Sequence, residues 1–404
     1  MRIIHAAAYK RLLHPLEDKH MDENKRLQKV WRTLISLAHG YFERRFKFTC
    51  EKYELDGPAL IIGNHVTNWD PLLLALSFPK NHIHFVASEH LFRLGWVSKL
   101  ISFLVAPIPR RKGASGAATT MDCLRKMRAG RTVCIYGEGE TTWDGRTKAI
   151  FPATGTLARA SGATLITYRL EGGYLTAPRW AKKNRRGRMR GYIVNRYTPD
   201  QLKLMKPQEI EEIINRDIYE DEWARQKADP VKYKGKNLAK DIEVAVFLCP
   251  KCKKIGTIHG EGNTVSCECG LKLNLNEYGT FEPAEPFENM AQWNDWQHKC
   301  LKDGDFVHGD MLFSDPGMTL YFYAADAKKG AEIANGSLSI ANGAMHVGSR
   351  CFPLAEINDM ALIQRKKLCF MHGEDYYEIK ADKPSCLRKY LAVWQNETGR
   401  ENTK

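Results

Sequence analysis

Ala59-Leu60-Ile61-Ile62-Gly63-Asn64-His65-Val66-Thr67-Asn68-Trp69-Asp70-Pro71 is the stretch from which the rest of the chain can be read. Ala59–Gly63 is a short apolar run closed by glycine, which predicts a buried strand. Asp70 followed by Pro71 predicts a helix start, with Asp70 as N-cap and Pro71 in the first turn, running to Phe78. A cap alone would account for Asp70, and a satisfied strand-end histidine for His65. Together, at one strand-to-helix turn, they have the composition of a general base oriented by a carboxylate.

Outward from this turn the chain keeps alternating. Strands are predicted at His84–Ala87, Thr132–Tyr136 and Thr164–Tyr168, and helices at Ser115–Arg128 and Thr156–Ser161. Such alternation predicts an α/β domain over residues 51–240, a central, mostly parallel sheet flanked by helices. Residues 1–50 form an N-terminal unit. Residues 1–23 read as a polar, partly helical lead-in. From Asn24 to Phe48, Leu27, Val30, Trp31, Leu34, Ile35, Leu37, Ala38, Tyr41 and Phe42 recur at helical spacing among Lys and Arg. Two readings stay open for that helix: insertion in an anionic membrane interface, or packing on its own domain. After the last strand comes a basic run, Arg179–Arg190, with the look of a solvated or anion-attracting loop. Pro207–Lys227 predicts one long helix and Val231–Lys240 a polar linker.

At the His65 turn the chain resembles the glycerolipid acyltransferases, among them the 1-acylglycerol-3-phosphate O-acyltransferases. Their signature of Asn-His, four residues and Asp is present as Asn64-His65 and Asp70. Their second block, Phe-Ile-x-Arg, has its arginine in Pro107-Ile108-Pro109-Arg110. Their third block is matched at Glu138, Gly139, Asp144 and Gly145, but its arginine falls on Thr141. Their Val-Pro-Ile block becomes Ile166-Thr167-Tyr168, without the proline. The resemblance spans roughly residues 28–200. It implies acyl transfer from a thioester (acyl-coenzyme A or acyl carrier protein) to the hydroxyl of lysophosphatidate. His65 would be the base, with Asp70 orienting its ring. Asn64, Arg110, Glu138 and Gly139 would bind substrate, and Arg110 or backbone N–H groups near Gly137–Gly139 would stabilise the oxyanion. Thr141 leaves Arg110, with Arg146, Lys148 or Arg169, to hold an acceptor phosphate. It also keeps open another lysophospholipid or glycerol 3-phosphate as acceptor.

Cys249-Pro250-Lys251-Cys252 and Cys267-Glu268-Cys269 lie fourteen residues apart. Two such cysteine pairs predict a zinc ribbon over residues 241–280 in which Cys249, Cys252, Cys267 and Cys269 hold a structural Zn2+. Residues 281–404 predict strands over 305–380, a hairpin at Asn342-Gly343 and a helix at Ser385–Asn396, a β domain of pleckstrin-homology type.

The 404 residues carry 61 Lys plus Arg and 47 Asp plus Glu, so 61 − 47 = +14, and 43% are hydrophobic. Composition of this kind excludes disorder, and the charge points to anionic partners. No stretch of 18 uncharged apolar residues and no signal peptide is read; Leu91–Pro109, the longest apolar candidate and an amphipathic one, is broken by Arg93 and Lys99. Eleven cysteines without a secretory signal predict a reducing compartment. The expected place is therefore cytoplasmic, peripheral on the inner face of the cell membrane. A nucleic-acid-binding zinc protein is the competing class. Cys249–Leu275 is poor in Arg and aromatics, so no nucleic-acid partner is expected.

Overall fold

The computed structural model describes residues 27–88, 105–110, 116–306, 311–324, 327, 329–383 and 385–400. The expected lead-in at 1–23 and most of the Leu91–Pro109 segment lie outside the described residues.

The α/β part is built on one seven-stranded sheet of order β1-β7-β6-β2-β5-β3-β4. Its strands are β1 (Phe48–Cys50), β2 (Ala59–Gly63), β3 (Ile83–Ser88), β4 (Ile108–Arg110), β5 (Thr132–Ile135), β6 (Thr164–Glu171) and β7 (Met189–Tyr197). Every neighbouring pair is parallel except β6 with β7. Side chains alternate faces along a strand, and both faces are covered, so β2 is apolar throughout. Ala59 and Ile61 face one layer, with helix α1 (residues 27–46) and α2 (Asp70–Ala75). Leu60 and Ile62 face the other, with α3 (Ala117–Arg128), α4 (Ala153–Ala160) and α5 (Pro207–Ile218). The apolar stripe of α1 is therefore spent on the protein: Leu27, Trp31, Ile35, Phe42 and Phe46 are buried, and the Trp31 indole donates to the Phe78 carbonyl at 3.0 Å. Leu37 and Tyr41 remain 75% and 53% exposed.

Three expectations need correction. The helix expected at Pro207–Lys227 is two. It breaks at Tyr219, because Thr147 pairs with Glu220, and restarts as α6 (Glu222–Ala228) under the Asp221 cap. Val231–Lys240 is no linker, since Tyr233, Leu238 and Ala239 are buried. Arg179–Arg190 is solvated only in part, with Lys182, Lys183, Arg186, Arg188 and Arg190 exposed. Trp180 and Arg185 are buried, and Arg185 donates to the Leu238 carbonyl.

The cysteine module is a four-stranded antiparallel sheet of β8 (Ile258–Glu261), β9 (Thr264–Cys267), β10 (Lys272–Leu275) and β11 (Phe281–Glu282). Helix α7 (Met290–Asp303) comes next, capped by Asn289. The C-terminal domain is a seven-stranded antiparallel sheet, β12 (Met311–Tyr323) to β18 (Asp375–Ala381), closed by α8 (Arg388–Thr398). Asn342 and Gly343 turn the expected hairpin between β13 (Ala331–Ala341) and β14 (Ala344–Val347) with positive φ of 51° and 69°. One apolar core runs from Trp143, Tyr174 and Trp180 of the α/β part through Phe247 and Trp293 to Trp394.

Candidate active site

His65 leaves β2 at the C-terminal end of a parallel strand, where open α/β sheets place ligands. Its Nδ1 lies 2.7 Å from Asp70 Oδ2. Asp70 is not the N-cap the sequence suggests. It occupies the first helical position after Trp69, and its fully buried carboxylate turns back into the loop. There it accepts from the Val66 and Thr67 backbone N–H groups and from the Thr67 hydroxyl. With both oxygens already accepting from these donors, the carboxylate takes the His65 ring as a further donor. A carboxylate only accepts, so the imidazole proton sits on Nδ1 and the lone pair on Nε2. Among the described residues Nε2 has no partner, and the His65 side chain is 21% exposed.

The third block holds this loop from the other side. Thr142 N–H donates to the His65 carbonyl, and the Tyr136 ring stacks on the imidazole at 4.5 Å. Glu138 is buried. Its Oε1 accepts from His65 N–H at 2.6 Å and its Oε2 from Lys148 N–H at 2.8 Å. Burial pushes the Glu138 carboxyl up to about 8, against the pull of those two bonds. Gly139, at φ 74°, could not be larger: a Cβ would stand 2.5 Å from the Phe151 ring. The Arg110 guanidinium lies 4.5 Å over the same ring.

A cavity of about 1470 Å³ opens beside His65. His65, Arg110, Glu138, Gly139 and Lys148 line it, with an apolar side at Trp31, Leu72 and Phe85. Asn64, expected at the substrate, is elsewhere. Its buried amide spans to β6, donating to the Leu170 carbonyl at 2.8 Å and accepting its N–H at 2.7 Å. Arg146 and Arg169 are likewise committed, the first to Asp144 and Asp295, the second to the Asp217 carbonyl. Gly139 N–H bonds the Tyr136 carbonyl within the turn. The opposite wall comes from residues with no motif: His298, Leu301, Lys302, Asp359, Leu362 and Gln395. Sequence reasoning also misses Tyr136 and Thr67; the short spacing of Thr67 to Asp70 is the available signal for one of them.

Residues 45–171 match the acyltransferase family. That segment is an acyltransferase-family domain. A 1-acyl-sn-glycerol-3-phosphate acyltransferase of Borreliella burgdorferi is 29% identical over 112 residues, 28% of this chain and 44% of that protein. The chain thus spans less than half the length of that relative. The crystal structure of the 1-acyl-sn-glycerophosphate (LPA) acyltransferase PlsC from Thermotoga maritima aligns with 50% of this chain and 81% of its own at 15% identity and a TM-score of 0.40. In the acyltransferase domain, the matched segment includes the His65 turn, Arg110 and the Glu138 block, and stops at the end of β6.

Outside that domain, Cys249, Cys252, Cys267 and Cys269 bring their Sγ atoms within 4.8 Å of one another. The Cys249–Cys269 and Cys252–Cys267 separations are 3.6 and 3.8 Å. A tetrahedral site with Zn–S bonds of about 2.3 Å has edges of about 3.8 Å, so the donor set fits zinc. No helix among the described residues is long and apolar enough to cross a membrane.

Proposed function

We propose that the chain is an O-acyltransferase that moves a fatty acyl group from a thioester, of coenzyme A or acyl carrier protein, to the free hydroxyl of 1-acylglycerol-3-phosphate, giving phosphatidate. The observation that carries this reading is the His65–Asp70 pair at the wall of a cavity, with its Nδ1 held at 2.7 Å and its Nε2 without a partner among the described residues. His65 Nε2 takes the acceptor's hydroxyl proton as the oxygen attacks the thioester carbonyl. The tetrahedral intermediate collapses, the C–S bond breaks, and the imidazolium returns the proton to the leaving thiolate. The donor is already activated, so no enzyme nucleophile is needed. At about 1470 Å³ the cavity exceeds the ~300–1,000 Å³ of common single-ligand pockets, as two substrates require. Glu138 serves as a positioning residue, and Arg110, lining the cavity over Phe151, as a cation for the acceptor.

Zinc on the four cysteines would be structural, because four thiolates leave no open position. Exposed Leu37 and Tyr41, beside Arg32, Arg44 and Lys47 on and after α1, support docking on an anionic membrane surface at the inner face of the cell membrane. A different acceptor, another lysophospholipid or glycerol 3-phosphate, is the second reading. Thr141 in place of the family arginine favours it, as does the commitment of Arg146 and Arg169 elsewhere.

The test is transfer of a labelled acyl group from each thioester type to a panel of lysolipids and glycerol 3-phosphate, with His65→Ala alongside. Lysophosphatidate turnover lost in the variant is the expected result. Turnover with another acceptor alone would move the enzyme out of phosphatidate synthesis. Transfer that survives His65→Ala would sink the mechanism.

A further inference from the structure

Helix α7 brings His298, Leu301 and Lys302 to the cavity, and their i, i+3, i+4 spacing sets them on one helical face. His298 Nε2 lies 3.2 Å from an Arg388 Nη2. A guanidinium has only donors and keeps its proton, so Nε2 accepts and the ring proton is on Nδ1. Arg388 is fixed in turn: Nη1 donates to the Ala245 carbonyl at 3.1 Å, and the guanidinium lies 5.2 Å from the Trp143 ring centre. Burial, then the Arg388 charge, holds the His298 imidazole down to about 3, so the ring is neutral at any working pH. Among the described residues neither His298 Nδ1–H nor the exposed Lys302 ammonium has a protein partner. Lys148, on the facing wall, is close enough for its charge to act on His298.

We propose that His298 Nδ1–H and the Lys302 ammonium form a phosphate subsite, so that α7 supplies the cavity with the anion-binding power that Thr141 does not. Arginine-fixed, neutral and single-tautomer, His298 is a directed hydrogen-bond donor, and Lys302 adds a mobile charge one turn away. The phosphate belongs either to the acceptor or to the donor's coenzyme. Its owner rests on the acyl-transfer reading; the subsite itself does not.

Two variants separate the two nitrogens of His298. His298→Gln can place its amide oxygen where Nε2 accepts from Arg388, but has no donor at Nδ1. His298→Asn keeps a donor near Nδ1. The full-length chain labelled with 15N-histidine is titrated with inorganic phosphate, the His298 signal being assigned by its loss in His298→Gln. Binding of short-chain lysophosphatidate and of coenzyme A is measured separately by calorimetry for wild type, His298→Gln, His298→Asn and Lys302→Ala. The expected result is a His298 shift with phosphate, and a Kd about tenfold weaker in His298→Gln and Lys302→Ala, partly restored in His298→Asn. Weakening for lysophosphatidate assigns the subsite to the acceptor, and weakening for coenzyme A assigns it to the donor. No shift with phosphate, together with unchanged Kd in both variants, overturns the subsite even if acyl transfer is intact. A phosphate shift in a protein that transfers no acyl group leaves the subsite standing and removes only the proposed activity.

Discussion

The two walls of the cavity are built on opposite terms. On the acyltransferase side nearly every polar side chain is already engaged: Asp70 holds four donors, Glu138 two backbone N–H groups, and Glu140 both Lys148 and Arg179. On the α7 side, among the described residues, His298 and Lys302 keep donors in hand. A group that must abstract a proton gains from being immobilised beforehand, since geometry settled during folding is not settled again at each turnover. A group that only recognises substrate must stay unsatisfied until substrate arrives. The first wall should govern turnover and the second affinity.

The largest effect that would break this division is at His65. His65→Ala should lower kcat by about 10²–10⁴-fold with KM little changed. Asp70→Asn should approach that loss, because an amide no longer imposes the Nδ1–H tautomer. A rise in KM without loss of kcat in either variant would dissolve the distinction. Next comes the support of the second wall. Helix α7 is fastened to the cysteine module by Trp293 Nε1 to the Leu248 carbonyl at 3.0 Å and by Gln297 to Phe247 N–H at 3.0 Å. Cys249→Ser should therefore raise the KM of whichever substrate the α7 wall holds about tenfold, lower Tm, and reduce zinc measured by metal analysis below one per chain. Normal KM in a zinc-free protein would separate the module from the wall.

The smallest effect is at Glu138. Its carboxyl titrates near 8 when folded and near 4.5 when unfolded. Stability contributed by the protonated form is complete below about 4.5 and is lost as pH rises through about 8. Glu138→Gln has no proton to lose, so its urea midpoint should fall less with pH across that window. At low pH it should be less stable than wild type by about 1–3 kcal/mol, because one backbone N–H loses its acceptor. Equal pH slopes in the two proteins would show the buried carboxyl to be ionised throughout.

How much of the molecule is legible in its sequence depends on the distance between partners along the chain. His65, Asp70 and the strand they leave lie within a dozen residues, so one turn's chemistry discloses them, although the Asp-Pro pair points to a cap where the fold uses Asp70 as the loop's internal acceptor. The cysteine pairs are equally legible, because metal-ligand spacing is local. Arg185 is not: its charge looks solvated until Leu238, 53 residues on, supplies a carbonyl. Pro207–Lys227 has a helical pattern throughout, and only the tertiary bond between Thr147 and Glu220 interrupts it. His298 sits in no motif. Its tautomer depends on an arginine 90 residues away, and its place depends on how α7 meets the third block.

The core that runs unbroken from Trp143 and Trp180 to Trp394 joins one side of the α/β part to the cysteine module and the C-terminal domain, while the sheet keeps cores of its own on both faces. Cutting between the acyltransferase domain and the cysteine module would expose Trp143, Tyr174 and Trp180 on one side and their apolar partners on the other, although the sheet would keep its own two layers. Heat that opens the junction at Trp143 and Trp180 should therefore release α7 from the cavity even while the sheet's own two layers still hold.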